Sequence, residues 1–274
     1  MARLIPRRTL LLSGSIAWAA ARLKASDADD RQGTTAARPG ATNGIDPSFP
    51  SQRPDLVREM VAVAHGNFAR VKELIDLHPT LSRAAWDWGF GDWEDALGAA
   101  SHVGNRQIAE FLLAHGARPT IFSATMLGQL DVVKAFVAAS PGVQRTHGPH
   151  NITLLAHARF GGEPAAAVKS YLESLGDADP QPSLAALSDA DMTTILGTYA
   201  FGSGASDRIT IDIDKEQLGF ARQNGTRRLL FHLGDRQFFP TGAEAVRIRF
   251  AIENGRAVAL SIHDPDLVLT AQRM

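Results

Sequence analysis

The chain contains no cysteine in its 274 residues. Disulfides, thiolate metal sites, a nucleophilic thiol and a lipid-anchoring cysteine are excluded with it. Tyrosine is scarce, at two residues against 13 Phe and four Trp. The patterns Ser-x-x-Lys, Gly-x-Ser-x-Gly, His-Glu-x-x-His and the phosphate-binding loop are all missing, so no familiar nucleophile, zinc-protease helix or nucleotide cradle is spelled out. Excess positive charge is missing too. The formal net charge is −1, but the first 25 residues hold Arg3, Arg7, Arg8, Arg22 and Lys24 and no acid. Without them 23 basic residues face 29 acidic ones, with no Lys/Arg cluster. Nucleic acid and anionic membrane are poor partners for such a chain.

What is present begins with a basic, then apolar, N-terminus, MARLIPRRTLLLSGSIAWAAARLKAS. Residues 1–25 are expected to be an export signal, with Ala19-Ala20-Ala21 as a small-residue cleavage site. Arg7-Arg8 ahead of the apolar run resembles a twin-arginine signal, although Leu10 stands where that signal favours Phe. The stretch Thr9–Ala21 is short for a membrane span, which needs about 20 residues. The expectation is a periplasmic or secreted protein with no membrane span once the signal is removed. Residues 26–54, rich in Pro, Gly and small polar side chains, read as a linker, and 177–183 (DADPQPS) as a second, shorter one.

Between 55 and 176 the chain repeats itself. The segments AHGNFARVKELIDLHP (64–79), HVGNRQIAEFLLAHGA (102–117), MLGQLDVVKAFVAASP (126–141) and FGGEPAAAVKSYLESLG (160–176) each carry a glycine followed by apolar residues at helical spacing. An Ala-rich segment precedes each glycine. The pattern is a short helix, a turn and a second helix, made four times. It resembles the ankyrin repeat: Leu97 precedes Gly104 by seven residues, and Ala100, Ile108-Ala109, Leu112-Leu113 and Gly116-Ala117 fall in that family's register. The resemblance implies stacked helix pairs with a concave binding face. Asp95-Ala96-Leu97-Gly98 replaces the family's Thr-Pro-Leu-His. The glycine steps are 38 (Gly66 to Gly104), 24 (Gly104 to Gly128) and 34 (Gly128 to Gly162) residues, against a nominal 33. The 24-residue step leaves no room for a finger hairpin. The 38-residue step has a surplus, and that surplus is WDWGFGDWED (86–95).

From 184 to 274 the period changes to two, in RITIDID (208–214), VRIRFAIE (246–253) and AVALSIHD (257–264). Asn-Gly pairs at 224–225 and 254–255 signal hairpins. With GTYAFG (197–202), QLGFAR (217–222), LLFHL (229–233) and DLVLTAQ (266–272) this makes seven or eight short antiparallel strands, led in by a helix over 183–196. Leu196-Gly197-Thr198-Tyr199, Phe238-Phe239-Pro240 and Arg249-Phe250…Asn254-Gly255 are similar to the small lipocalin-like domain that follows the catalytic domain of some exported serine hydrolases. That resemblance implies an accessory module without catalytic residues. The fold class expected is α+β and multidomain: an ankyrin-like α-solenoid of about four helix pairs, then a small antiparallel β-sheet or barrel.

Candidate chemistry is sparse. His147, His150 and His157 form a local cluster. His147 and His150 have a spacing that can share a metal, but no carboxylate lies close in sequence, and the GPHN setting reads as a turn with His150 bonded to backbone. Asp87, Asp92, Glu94 and Asp95 lack the alternate-position spacing of a Ca²⁺ loop. They read as solvated loop acids or helix caps, Asp92 or Asp95 capping the following helix. An enzyme would need a cleft in which the histidines of 147–157 meet acids from elsewhere in the chain. Trp86, Trp88, Phe90 and Trp93 suit both local packing and a protein interface. The functional expectation is a non-catalytic, exported protein-binding protein. Its contact residues would be Trp86, Trp88, Phe90, Trp93, Arg145, His147 and His150, with no catalytic residue, metal or cofactor assigned. A carrier of a small apolar ligand, with Tyr199, Phe201, Phe220, Phe231 and Phe250 lining the β domain, is the alternative.

Overall fold

Each repeat copy resolves into two helices that meet at a glycine turn. In the computed structural model, which describes residues 46–274 apart from 223, 224, 226 and 266, the pairs are α1 (Pro54–Val63) with α2 (Phe68–Leu77), α3 (Ala96–His102) with α4 (Arg106–Ala114), α5 (Ile121–Met126) with α6 (Leu130–Ala139), and α7 (Leu154–Phe160) with α8 (Ala166–Leu175). The expected export signal, most of the first linker and Asn224 lie outside the described residues. Side-chain caps set several of the helix starts. Asn67 accepts from the Arg70 N–H, Asn105 from Ile108 and Thr153 from Ala156, while Thr120 and Ser123 form a reciprocal capping box. The apolar stripe of α4 turns Ile108, Ala109 and Leu112 inward, as its spacing requires. First helices pack on first helices along the series α1, α3, α5, α7. The second helices α2 and α4 touch, as do α6 and α8. Their buried residues form two apolar clusters, one centred on Met60, Leu97 and Leu112, the other on Leu154, Val168 and Leu172.

The surplus between the first two pairs folds as a hairpin of β1 (Ala85–Asp87) and β2 (Trp93–Asp95), with Trp86 opposite Glu94. Its tip turns sharply because Gly89, Phe90 and Gly91 all take positive φ, at 109°, 59° and 76°. Two glycines there are a stereochemical requirement.

The C-terminal strands are β3 (Gly197–Ala200), β4 (Arg208–Asp214), β5 (Gln217–Arg222), β6 (Arg228–Gly234), β7 (Gln237–Pro240), β8 (Arg247–Glu253), β9 (Arg256–Asp264) and β10 (Leu267–Arg273). Each pairs antiparallel with the next, and β10 closes on β3 through Gln272–Ala200 and Arg273–Tyr199, giving a closed eight-stranded barrel. Closure leaves no sheet edge to protect. Inside, Tyr199, Phe238 and Phe250 meet edge to face at centroid distances of 5.8 and 5.6 Å. Phe231 instead stacks on Phe239, on the other side of the sheet from Phe238. The lead-in helix is shorter than its sequence pattern: α9 covers only Asp189–Ile195, capped by Ser188. Residues 183–188 are not helical, because the Ala185 N–H is drawn to the His232 carbonyl of β6 at 2.9 Å.

Asp46–Met274 cluster as one compact unit. No helix among the described residues is long and apolar enough to cross a membrane.

Candidate functional site

The hairpin that carries WDWGFGDWED is also where the polar chemistry gathers. Strand alternation puts even-numbered residues on one face. Trp86 and Trp88 pack against the helical core, and on the same side Asp92 is 4% exposed and Glu94 fully buried. Trp93, on the opposite face, is 63% exposed. Phe90, at the tip, lies against the barrel with its ring 6.2 Å from Phe220. Of the four aromatics expected at an interface, three turn inward and only Trp93 faces solvent.

Asp92 and Glu94 are therefore not solvated acids, and Asp92 caps no helix. Asp95 does cap, accepting from the Gly98 N–H at 2.5 Å. Its burial raises the carboxyl pKa, while that N–H opposes the rise. Each of the two buried acids has a set of partners from elsewhere in the chain. Asp92 accepts from the His150 N–H and from His150 Nδ1, both at 2.8 Å, and from the Arg228 guanidinium of β6 at 3.0 Å. Glu94 Oε1 is 2.7 Å from His102 Nε2, 3.5 Å from His150 Nε2 and 3.6 Å from His65 Nε2. Glu94 Oε2 accepts from Trp88 Nε1 at 2.8 Å. His65 follows α1, His102 ends α3 and His150 sits in a turn, so three separate segments converge on the one carboxylate of the hairpin.

The turn at Pro149–Asn151 is held in an unusual shape to reach this point. His150 and Asn151 both take left-handed φ values, 58° and 59°, a conformation that costs non-glycine residues free energy and persists where surroundings impose it. The bond from the His150 N–H to Asp92 is one such constraint. His150 thus bonds a carboxylate rather than backbone, and the acids sequence proximity lacked arrive from 56 and 58 residues upstream.

The electrostatics follow from the burial and pairing. Burial opposes charge on Glu94, but hydrogen bonds from His102 and His150 and the nearby His65 outweigh it and hold the carboxyl far below its usual range. Burial also opposes ionisation of Asp92, which His150 and Arg228 nonetheless keep low. His150 loses solvent too, yet Asp92 and Glu94 push its pKa up to about 9. Burial lowers His65, which therefore tends to be neutral. Three imidazoles and a carboxylate are donor types that ligate divalent transition metals.

The other expected contact residues lie apart from this centre. His147 does not share it: its Nδ1 is 3.6 Å from Glu244 of the turn before β8. Arg145 pairs with Asp177 at 2.9 Å. His157, the third histidine of the sequence cluster and not an expected contact, is buried in α7. Beside Trp93 lies an open hollow of about 310 Å³, bounded by Gly91, Asp92, Phe122, the 147–151 segment and Gly242 of the barrel. His65, His102 and Arg228 carried no sequence signal of their own. The alternation that pairs 92 and 94 with 86 and 88 was the available clue that these acids point inward.

Comparison with protein-family models, with curated proteins and with solved structures gives no match.

Proposed function

We propose that this chain is an exported, non-catalytic interaction protein, an ankyrin-type array joined to a lipocalin-like barrel, which docks another protein of the cell envelope or exterior on the Trp93 side of its hairpin. The observation that carries this reading is the exposure of Trp93, at 63%, beside the 310 Å³ hollow. A large ring held out by a short hairpin, next to a concavity, is the arrangement of an interface anchor. The hairpin is fixed from behind by Trp86 and Trp88, so its ordering entropy is met before a partner arrives. The buried acids support a holding role rather than a reacting one, since both Glu94 oxygens are engaged. The apolar-ligand reading has weaker support, because rings inside the barrel meet one another.

A photo-crosslinking residue placed at position 93, with position 208 on the barrel as control, tests the proposal in cells exporting the protein. A discrete protein adduct from position 93 alone is expected. Trp93→Ala is expected to weaken capture of that protein about 30-fold, the effect of a hot spot near 2 kcal/mol, and to change stability by less than about 0.5 kcal/mol. Equal capture by the folded variant would sink the idea.

A further inference from the structure

His65, Glu94, His102 and His150 each place one ligand-type atom within 4.8 Å of the other three. We propose that this constellation binds a divalent transition cation of the Zn²⁺ class, in tetrahedral N₃O coordination, as a structural clamp.

Three of the six separations match those of a coordination shell. At metal–ligand bonds of about 2.0–2.1 Å, tetrahedral ligand atoms stand about 3.3 Å apart. Here His102 Nε2 to His65 Nε2 is 3.1 Å, His150 Nε2 to Glu94 Oε1 is 3.5 Å and His65 Nε2 to Glu94 Oε1 is 3.6 Å.

The orientation of the donors is a second, independent argument. His65 Nδ1 is bonded to the Val61 and Ala62 carbonyls at 3.2 and 3.0 Å, which puts the proton on Nδ1 and leaves Nε2 a bare lone pair. His150 Nδ1 donates to Asp92, and Glu94 Oε2 is occupied by Trp88 Nε1, so His150 Nε2 and Glu94 Oε1 are the atoms turned inward. Such outer hydrogen bonds fix the tautomer and aim of metal-binding imidazoles. Without a cation, one His102 Nε2–H must serve both the His65 lone pair and Glu94 Oε1, at 3.1 and 2.7 Å. A cation satisfies all four donors at once.

Four protein ligands close the shell, which is the pattern of structural rather than catalytic sites. Side-chain exposures of 32% at His65 and 20% at His150 provide a way in. The ligands come from the turn after α1, the hairpin, α3 and the 149–151 turn, so one ion would tie all four together. The inference does not depend on Trp93 meeting a partner.

Untagged full-length protein, stripped with EDTA, is titrated with ZnCl₂ by calorimetry and with CoCl₂ by visible absorption, and melted with and without Zn²⁺. One Zn²⁺ per chain, tetrahedral cobalt d–d bands and a raised Tm are expected. His65→Gln, at a half-exposed position, should weaken Zn²⁺ binding at least tenfold yet melt like the wild type once stripped. His150→Gln is the second variant, and His115→Gln, remote from the cluster, should change nothing. No stoichiometric Zn²⁺ binding, no tetrahedral cobalt spectrum, or binding equal in wild type, His65→Gln and His150→Gln would overturn the proposal.

Discussion

His157 shows how much one buried side chain can carry. It has no exposed surface, its Nδ1 donates to the Thr153 carbonyl at 2.9 Å, and its Nε2 has no hydrogen-bond partner. Phe122 lies against the ring at 4.9 Å. Burial lowers its pKa from 6.5 to about 4; the Thr153 bond and Glu94 oppose that fall, and His102 adds to it. The unfolded chain therefore takes up this proton at higher pH than the folded one. The contribution to stability is complete above about pH 6.5 and is lost as pH falls toward 4, a difference of about 3 kcal/mol. Urea unfolding between pH 7 and pH 4 measures it. His157→Leu should flatten the slope, and an unchanged slope would refute the assignment. The sequence grouped His157 with His147 and His150 by proximity, yet the three face different surroundings. Neighbours in sequence on a turn and a helix need not share a direction, so proximity along the chain does not make these three histidines one site.

Elements were more legible than sites. The 3.6 period and recurrent glycines place every helix pair, and Gly104 and Gly128 sit in the turns with φ of 74° and 76°. A Cβ at Gly104 would be driven into the Phe160 carbonyl, and one at Gly128 into that of Pro164, so both turns also press on the fourth helix pair. Gly66 has open space around it and no positive φ. Gly104→Ala should cost more than about 2 kcal/mol, combining left-handed strain with overpacking, whereas Gly66→Ala should stay within about 0.5 kcal/mol. Chemical denaturation of the pair is the check, and equal losses would remove the packing argument. In the barrel, Asn254-Gly255 forms the expected hairpin turn, at φ 50° and 76°. Lys215-Glu216 and Asp235-Arg236 adopt similar positive φ without any glycine. Strand twist imposes that geometry on the two residues, so composition did not announce it.

At the scale of the whole molecule, Arg228 joins barrel to repeats. Only 7% exposed, it binds Asp92, the Trp88 and Gly89 carbonyls and the Thr241 carbonyl. Gly242, at φ 77°, sits so close to the Asp92 carboxylate that no side chain would fit. Arg228→Met would leave a buried carboxylate short of its counter-charge, at a cost of about 3 kcal/mol. It should also separate the unfolding of the barrel, followed by amide hydrogen exchange of its strands, from that of the helices and hairpin, followed by tryptophan fluorescence. Coincident transitions at an unshifted midpoint would show that the arginine does not couple them.

Sequence alone determined the α+β class, the four helix pairs, the surplus length at 86–95 and nearly every barrel strand, because all of these are periodicities and turn chemistries written locally. Tertiary structure decided what closes the barrel and where the chemistry lies. Barrel closure depends on β10 reaching β3 across some 70 residues. The His65, Glu94, His102 and His150 cluster depends on the hairpin folding back under Trp86 and Trp88, which buries two acids that read as solvated. Burial is a property of packing, and it is burial that turned scattered histidines and loop carboxylates into one site.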